Sequence, residues 1–402
     1  MQLIFQSLTM FTSEEERQFI KLHLHSDVGK LSLSKQISAP NIRRDFVLNQ
    51  ISAYQKSITK LPTIRENLDF IFPPSLSIEQ ASSEITAKYK SEICRYRISA
   101  DLTGGMGIDS IFLAKNADKH YYNELSNELA EIFSHNVSSL NIKNITISTS
   151  DAFDFIANLP ETVDLIFFDP ARRNSAGRKT YFLEDTFPDP AKVLQCLRNK
   201  NFRGKILIKT SPLLDISRAI NLLSNVTQVH VISINNECKE LLFLVDFSSQ
   251  SAPTFHVYDH SASQEICLVF SGEDTAEASY SDPQKYIYEP LSGIYKLGFW
   301  GEVCERYGVA ALSPNSHLFT SDKLIEDFPG RKFEIEATEK VNAAVIRPHL
   351  EDGKANITTR NFPQSVDELR KSLKIKDGGE KYLFFTTLSN KSRICLICSK
   401  LS

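Results

Sequence analysis

The stretch Asp101-Leu102-Thr103-Gly104-Gly105-Met106-Gly107-Ile108-Asp109 decides the fold. A β-like run, Tyr96-Arg97-Ile98-Ser99-Ala100, leads into it, and a helical pattern, Ser110 to Lys115, leaves it. Strand, glycine turn and helix in that order open a Rossmann-type βαβ unit. Glycine is wanted there because the backbone turns sharply and admits a ligand where a Cβ would clash. The first turn of the following helix offers unpaired N–H groups to that ligand.

A dinucleotide site asks for G-x-G-x-x-G. Here Gly105-x-Gly107 is followed at the third position by Ser110, so the fingerprint is nearly met. The difference is Asp101, at the strand end ahead of the glycines. A carboxylate there suits a cation, such as the amino-acid end of S-adenosylmethionine, and opposes a pyrophosphate. The pattern Asp-x-x-Gly-Gly-x-Gly resembles motif I of class I S-adenosylmethionine-dependent methyltransferases, with Thr103 where their first glycine usually stands. Another nucleotide-binding fold, or a plain glycine turn, fits the same residues.

Composition sets outer bounds. At 402 residues the chain can hold two or three domains. Hydrophobic content of 42% and charged content of 24% are those of an ordinary globular protein. A net charge of −3 does not announce a nucleic-acid binder, so any such binding must use a local basic face. Seven scattered cysteines, an odd number, argue for a reducing compartment. The start Met1-Gln2-Leu3-Ile4-Phe5 shows no signal peptide, and no apolar run approaches a membrane span, so a cytoplasmic location is expected.

Before the glycine turn the chain reads as helical. Ser13 to Glu16 fits a capping box. Val47, Ile51, Tyr54, Ile58 and Leu61 give a clear helical face that Pro62 should end. Arg43, Arg44, Lys56 and Lys60 could line its outer side, solvated or against RNA. After Pro73-Pro74, Ser77 reads as the N-cap of a helix from about Ile78 to Cys94, with Gln80, Ser82 and Ser83 placed to close over a cofactor.

After the turn, strands and helices alternate. Strand two, Lys119 to Asn123, ends at Glu124, close to the roughly 20-residue interval at which a strand-end acid meets a ribose. Strand three, from Ile145, is read as ending in Asp151-Ala152, where methyltransferases place an acid near the adenine. Asp101, Glu124 and Asp151 at three successive strand ends would converge on one crevice at the carboxyl edge of the sheet. Strand four starts at Asp164 and then runs Leu165-Ile166-Phe167-Phe168, unbroken and apolar, as a doubly buried parallel strand should be. Its exit, Asp169-Pro170-Ala171-Arg172-Arg173, stands where nucleic-acid methyltransferases carry Asp/Asn-Pro-Pro-aromatic or Asp-Pro-Pro-Arg.

Asp169 and the Pro170 carbonyl could accept hydrogen bonds from a nitrogen about to be methylated. Ala171 replaces the second proline, and Arg172 replaces the aromatic that would stack on a flipped base, which counts against an exocyclic amine. Arg172 and Arg173 could instead stack on a base, hold a phosphate or form salt bridges. The polar loop 174–189 reads as a substrate lid. Strand five is Lys205 to Thr210. No cysteine lies in the exit loops of strands four and five, which argues against carbon-5 methylation of a pyrimidine. Val229 to Ile234 and Leu241 to Phe247 form a closing hairpin, making strand seven antiparallel.

Further on, strands are expected at Phe255–Tyr258, Ile266–Phe270 and Tyr286–Pro290, with one helix from about Leu291 to Tyr307. The mildly basic tail mixes strands and helices. Cys395 and Cys398 sit three apart in a strand and so point to opposite faces, which speaks against a metal site.

With motif I, Asp169 to Arg173, and Asn315-Ser316-His317-Leu318-Phe319-Thr320-Ser321 followed by Phe328-Pro329-Gly330, the chain resembles bacterial class I methyltransferases carrying a ferredoxin-like module and a THUMP-like C-terminal domain. The resemblance covers about residues 75 to 400. It implies a Rossmann-like α/β sheet of seven strands, the last antiparallel, a helical N-terminal region, and a small α+β tail. The expected division is 1–74 helical, 75–250 methyltransferase, 251–321 linker and ferredoxin-like module, and 322–402 THUMP-like. It implies S-adenosylmethionine bound by Asp101, Thr103, Gly104, Gly105, Gly107, Glu124, Asp151 and Ala152, with Asp169, Pro170, Arg172 and Arg173 at the reacting base. THUMP domains are associated with structured RNA, so the resemblance implies tRNA or rRNA as partner, with no membrane and no metal. A protein or small-molecule methyltransferase, and a non-catalytic RNA-binding protein, are the alternatives.

Overall fold

The computed structural model describes residues 12–34, 37, 41–73, 78–160, 162–171, 182–271 and 276–401. The chain divides into two compact units, 1–227 with 241–251, and 228–240 with 252–402.

The first unit opens on helices α1 (Glu14–His23), α2 (Val28–Ser32) and α3 (Arg44–Lys56). The expected capping box is present, but Glu16 does more than cap. Its buried carboxylate also receives the Arg43 guanidinium, with Nε to Oε1 at 2.9 Å and a terminal nitrogen to Oε2 at 2.7 Å. Burial works against that charge, but the bonds from Arg43 and Ser13 outweigh it and hold the carboxyl below its usual range. Arg43 thus belongs to a helix-helix contact, not to a wholly solvated face. Helix α3 ends at Lys56, ahead of Pro62, because the chain turns at Ser57, whose hydroxyl donates to the Tyr54 carbonyl at 2.9 Å.

An extended segment, Phe70 to Pro73, is buried without belonging to any sheet. Side-chain amides satisfy its backbone, as a buried loop requires. Gln50 bonds both the N–H and C=O of Phe72, and Asn136 does the same for Ile71. Through it, Ile20, Val47, Ile51 and Tyr54 share one core with Met106, Ile111, Tyr122 and Phe133.

Helix α4 runs from Glu84 to Ile93, capped by Ser83, not from Ile78. A single 3₁₀ turn occupies Ile78–Gln80. The Ser83 hydroxyl accepts from the Thr86 N–H at 3.1 Å, and Ser77 lies outside the described residues.

Strands β1 (Ile98–Asp101), β2 (Lys119–Asn123), β3 (Ile145–Ser148), β4 (Leu165–Phe168) and β5 (Lys205–Thr210) are parallel, in the order β3-β2-β1-β4-β5. Helices α5 (Ile108–Lys115), α6 (Asn127–Ser139), α7 (Ala152–Ala157), α8 (Pro190–Asn199) and α9 (Ile216–Leu223) connect them or follow β5. Strand β3 stops at Ser148, short of the expected Asp151. Asp151 instead caps α7, its Oδ1 accepting from the Phe153 N–H at 2.8 Å. Strand β4 is buried throughout. Strands β6 (Val226–Ile234) and β7 (Glu237–Val245) form a hairpin, and β7 lies antiparallel against β5. Asn235 and Asn236, both at positive φ (52° and 60°), make its turn, as a two-residue hairpin link demands.

In the second unit β8 (Thr254–His260) pairs parallel with β6 and antiparallel with β9 (Glu265–Phe270). A separate sheet joins β10 (Tyr286–Pro290), β11 (Ala310–Ala311), β12 (Phe319–Ser321), β13 (Gly330–Lys340), β14 (Asn356–Arg360), β15 (Lys381–Thr387) and β16 (Arg393–Lys400) in the order β11-β12-β10-β13-β16-β15-β14. The expected helix 291–307 is two helices, α10 (Ser292–Leu297) and α11 (Trp300–Tyr307), broken at Gly298, where φ is 78°. A four-residue helix, α12 (Ala343–Ile346), precedes β14, and α13 (Val366–Leu373) crosses from β14 to its parallel neighbour β15. On β16, Cys395 and Ile397 pack into one core while Leu396 and Cys398 pack into the other, so the sheet is covered on both faces. Among the described residues no helix is long and apolar enough to cross a membrane.

Candidate active site

The glycine turn is held from inside by Asp101. Its carboxylate accepts from the Thr103 N–H at 2.9 Å and from the Ser110 hydroxyl at 2.7 Å. Burial pushes the carboxyl up to about 7, against the pull of those two bonds. Only 1% of Asp101 is exposed, so it supports the loop from beneath.

The glycines divide by cause. A Cβ on Gly104 would fall 2.1 Å from the Tyr122 ring, and one on Gly107 2.0 Å from the Phe133 ring. Those two rings stack with centroids 3.8 Å apart, and the Tyr122 hydroxyl donates to the Gly105 carbonyl at 2.7 Å. Gly104 and Gly107 therefore let the loop lie on its own core. At Gly105, φ is 56° and the nearest atom to a Cβ would be the Thr103 carbonyl at 3.8 Å, so the loop is open there.

The predicted acids lie along one sheet edge. Asp101 ends β1, Glu124 follows β2, Asp151 follows β3 and Asp169 follows β4, all at the carboxyl ends of adjacent parallel strands. Glu124 accepts from the Gly105 N–H (2.8 Å) and the Ser126 N–H (2.9 Å), so it braces the turn. Each carboxylate oxygen has a second lone pair to offer a ligand. Ala152 is buried in the first turn of α7 beneath Asp151. Thr103, in the usual glycine position, accepts from the Asp169 backbone N–H through its hydroxyl at 2.8 Å. Pro170 is buried. Ala171 exchanges two backbone hydrogen bonds with Phe187, with its own N–H donating at 2.7 Å. A second proline at 171 would forfeit that donor. Arg172, Arg173 and the first half of the expected lid, 174–181, lie outside the described residues.

The structure adds residues not singled out from the sequence. Ser82 was expected over the cofactor, but its hydroxyl donates to Asp109 at 2.7 Å, and Ser83 is spent on its cap. The fully buried Lys90 meets the same carboxylate at 3.0 Å, and Lys209 of β5 lies 3.8 Å from it. Burial opposes charge on Asp109, but Lys90, Lys209 and Ser82 outweigh it and keep the carboxyl below its ordinary range. Lys209 also contacts the Asp169 carboxylate directly. Its only signal in the sequence is a charge directly after the apolar run Ile206-Leu207-Ile208, within the same strand.

A turn open at Gly105, flanked by carboxylates on three strand ends, fits a cationic adenosine-bearing sulfonium. Sheet order, antiparallel β7 and this edge define a class I S-adenosylmethionine-dependent methyltransferase. Comparison with known proteins fixes the family. Residues 330–400 match a family model described as THUMP domain-like, and residues 286–329 one described as a ferredoxin-like domain. The crystal structure of a Porphyromonas gingivalis W83 protein classed as a methyltransferase is 31% identical, covering 98% of this chain and 100% of that one, with a TM-score of 0.86. The chain belongs to the bacterial class I methyltransferase family with a ferredoxin-like module and a THUMP-like C-terminal domain.

Two further solved structures match smaller parts. An rRNA methylase from Streptococcus thermophilus is 16% identical over 40% of this chain and 94% of its own, with a TM-score of 0.29. A Pyrococcus abyssi tRNA (uracil-54, C5)-methyltransferase in complex with S-adenosyl-L-homocysteine is 15% identical over 44% of this chain and 41% of its own, with a TM-score of 0.31. Neither likeness bears on the substrate of this chain. No curated protein matches it.

Proposed function

We propose that this methyltransferase moves the methyl group of S-adenosylmethionine onto a nitrogen of a base in tRNA or rRNA. The observation that carries the reading is the placement of Glu124, Asp151 and Asp169 at the ends of β2, β3 and β4, on both sides of a glycine turn after β1 that is tied to Asp169 through Thr103. The cofactor supplies an already activated methyl group, so the protein has chiefly to align a nucleophile with it.

In this reading Thr103, Gly104, Gly105 and Gly107, set by Asp101 beneath them, hold the methionine end. Glu124 accepts from the ribose hydroxyls, and Asp151 with Ala152 holds the adenine. Asp169 and the Pro170 carbonyl accept hydrogen bonds from the target nitrogen, with Arg172 and Arg173 beside it. The THUMP-like match supports RNA as the partner of the C-terminal segment.

Mass spectrometry of nucleosides from total tRNA and rRNA of a deletion strain tests this. One modified base should disappear and return with the restored gene. An unchanged set of modified nucleosides would refute the RNA reading. The net charge of −3 favours a protein or small-molecule acceptor as the second reading. Absence of RNA binding, or RNA binding that does not weaken with added salt, would support that one.

A further inference from the structure

Lys209 stands out because its strand should not carry it. Ile206, Leu207 and Ile208 before it are completely buried, and only 12% of its own side chain is exposed. Burying an ammonium is costly unless it is paired. The fold pairs it with carboxylates, Asp109 Oδ2 at 3.8 Å and Asp169 in direct contact among them. Lys90 and Ser82 hold Asp109 from the far side. The result is a row of alternating charges, Lys90, Asp109, Lys209, Asp169, whose last member has 41% of its side chain exposed. The backbone N–H of that last residue is bonded to Thr103, so the Lys209–Asp169 pair is positioned from two sides.

The pair sets a condition on what it can activate. An ammonium only donates and a carboxylate only accepts. Side by side they match a group presenting an acceptor beside a donor. Two base edges do so: a lactam, with a ring N–H beside a carbonyl, and an amidine, with an amine beside a ring nitrogen. The neighbouring ammonium has opposite consequences for them. Donating to a lactam carbonyl, it stabilises the anion through which the ring nitrogen becomes nucleophilic. Donating to an amidine ring nitrogen, it draws the amine lone pair into the ring and deactivates it.

Resting on the reading above, we propose that Lys209 and Asp169 select and activate a lactam edge, so that the methylated atom is a ring nitrogen: N1 of guanine or N3 of uracil. The ring N–H proton passes to an Asp169 oxygen. The electron pair left behind spreads onto the carbonyl oxygen, which the Lys209 ammonium holds. That nitrogen forms the new bond to the methyl carbon, while the carbon–sulfur bond breaks and its pair stays on sulfur. Asp169 then loses the proton to water at its exposed side. The missing second proline and aromatic after Asp169, which serve amine substrates, agree with this assignment.

The full-length protein, methyl-labelled S-adenosylmethionine and total RNA from the deletion strain give the test. Label should appear in 1-methylguanosine or 3-methyluridine, and which of the two tells guanine from uracil. Label in an exocyclic amine, a ring carbon or a ribose overturns the lactam assignment. An exocyclic-amine product would leave RNA-base nitrogen methylation standing. No label in RNA overturns both. Lys209→Met should lower single-turnover transfer by about 100-fold or more, the range of a lost acid–base partner, with cofactor affinity unchanged. Its rate should climb with pH, by about tenfold per unit, where the wild type is flat. Lys209→Arg, which keeps the charge and guards against a variant that fails to fold, should retain most of the rate. A Lys209→Met variant with the wild-type rate and pH profile removes Lys209 from the reaction.

Discussion

The Thr103 hydroxyl accepts a hydrogen bond from the backbone N–H of Asp169 at 2.8 Å, joining the turn after β1 to the exit of β4. The side chain that breaks the usual glycine pattern thus couples the proposed cofactor loop to the proposed reacting end. Thr103→Val keeps the shape and removes the acceptor. It should cost about 1–2 kcal/mol of stability, as for a partly buried N–H left unpaired, and slow transfer more than it weakens cofactor binding. Thr103→Ser should behave as wild type. Urea unfolding and single-turnover assays check both variants, and a silent Thr103→Val would show the link to be dispensable.

Glu124 and Asp169 should separate binding from chemistry. Glu124→Ala should weaken cofactor binding by about 1–3 kcal/mol, the range for a lost charge-assisted contact, as measured by calorimetry. Asp169→Ala should leave that affinity in place and abolish transfer. Equal activity in the Asp169 variant would end its assignment.

Alanine in the turn should rank by cause. Gly104→Ala drives a methyl into the Tyr122 ring, and Gly107→Ala drives one into Phe133 at a φ of 82°. Each should destabilise by about 1–3 kcal/mol through overpacking, Gly107→Ala the more because its left-handed backbone adds strain. Gly105→Ala meets no close neighbour and should cost only the strain of its φ of 56°, about 1–2 kcal/mol, while its methyl obstructs the ligand. Thermal unfolding alongside cofactor titration would expose a different order.

Asp101 makes stability depend on pH in an unusual direction. Its folded pKa, pushed up to about 7 by burial, exceeds its unfolded value of 3.8. The folded state therefore holds a proton that the unfolded chain releases between those values. Its contribution is fully present below pH 3.8 and is lost as pH rises through 7. Asp101→Asn can still accept from Thr103 and can donate to Ser110. Relative to wild type it should gain stability between pH 4 and 7, by at most about 4 kcal/mol. Urea midpoints for both proteins at pH 4.5 and 7.5 decide, and parallel pH profiles would contradict the sign.

In the second unit, Glu289 on β10 is 5% exposed and receives two arginines. Arg331 Nε reaches it at 2.6 Å, and a terminal nitrogen of Arg360 does so at 2.6 Å. Glu289→Ala leaves both cations facing each other. The loss should be about 2–3 kcal/mol, below that of a wholly buried pair because both arginines keep some water. Unchanged denaturant unfolding would show that solvent screens the pair.

Local pattern sufficed wherever one segment's chemistry spoke for itself. The glycine turn, the capping box at Ser13, the apolar β4 and the acids at 101, 124, 151 and 169 were all legible, because turn geometry, burial periodicity and strand-end placement are written in adjacent residues. Helix starts were less so. The helix expected from Ile78 begins at Glu84 instead, where Ser83 caps it and Ser82 meets Asp109, a residue of a distant segment.

What the sequence determined by itself is the succession of strands and helices along the chain and the identity of the acids at the strand ends. Only the tertiary structure decided which partners those acids keep. Asp101 turned inward beneath its own loop, Asp169 was set against Lys209, and Glu16 was joined to Arg43. The reason is physical: a charge declares its need for a partner locally, but the partner comes from whichever distant strand or helix packing brings within a few ångströms.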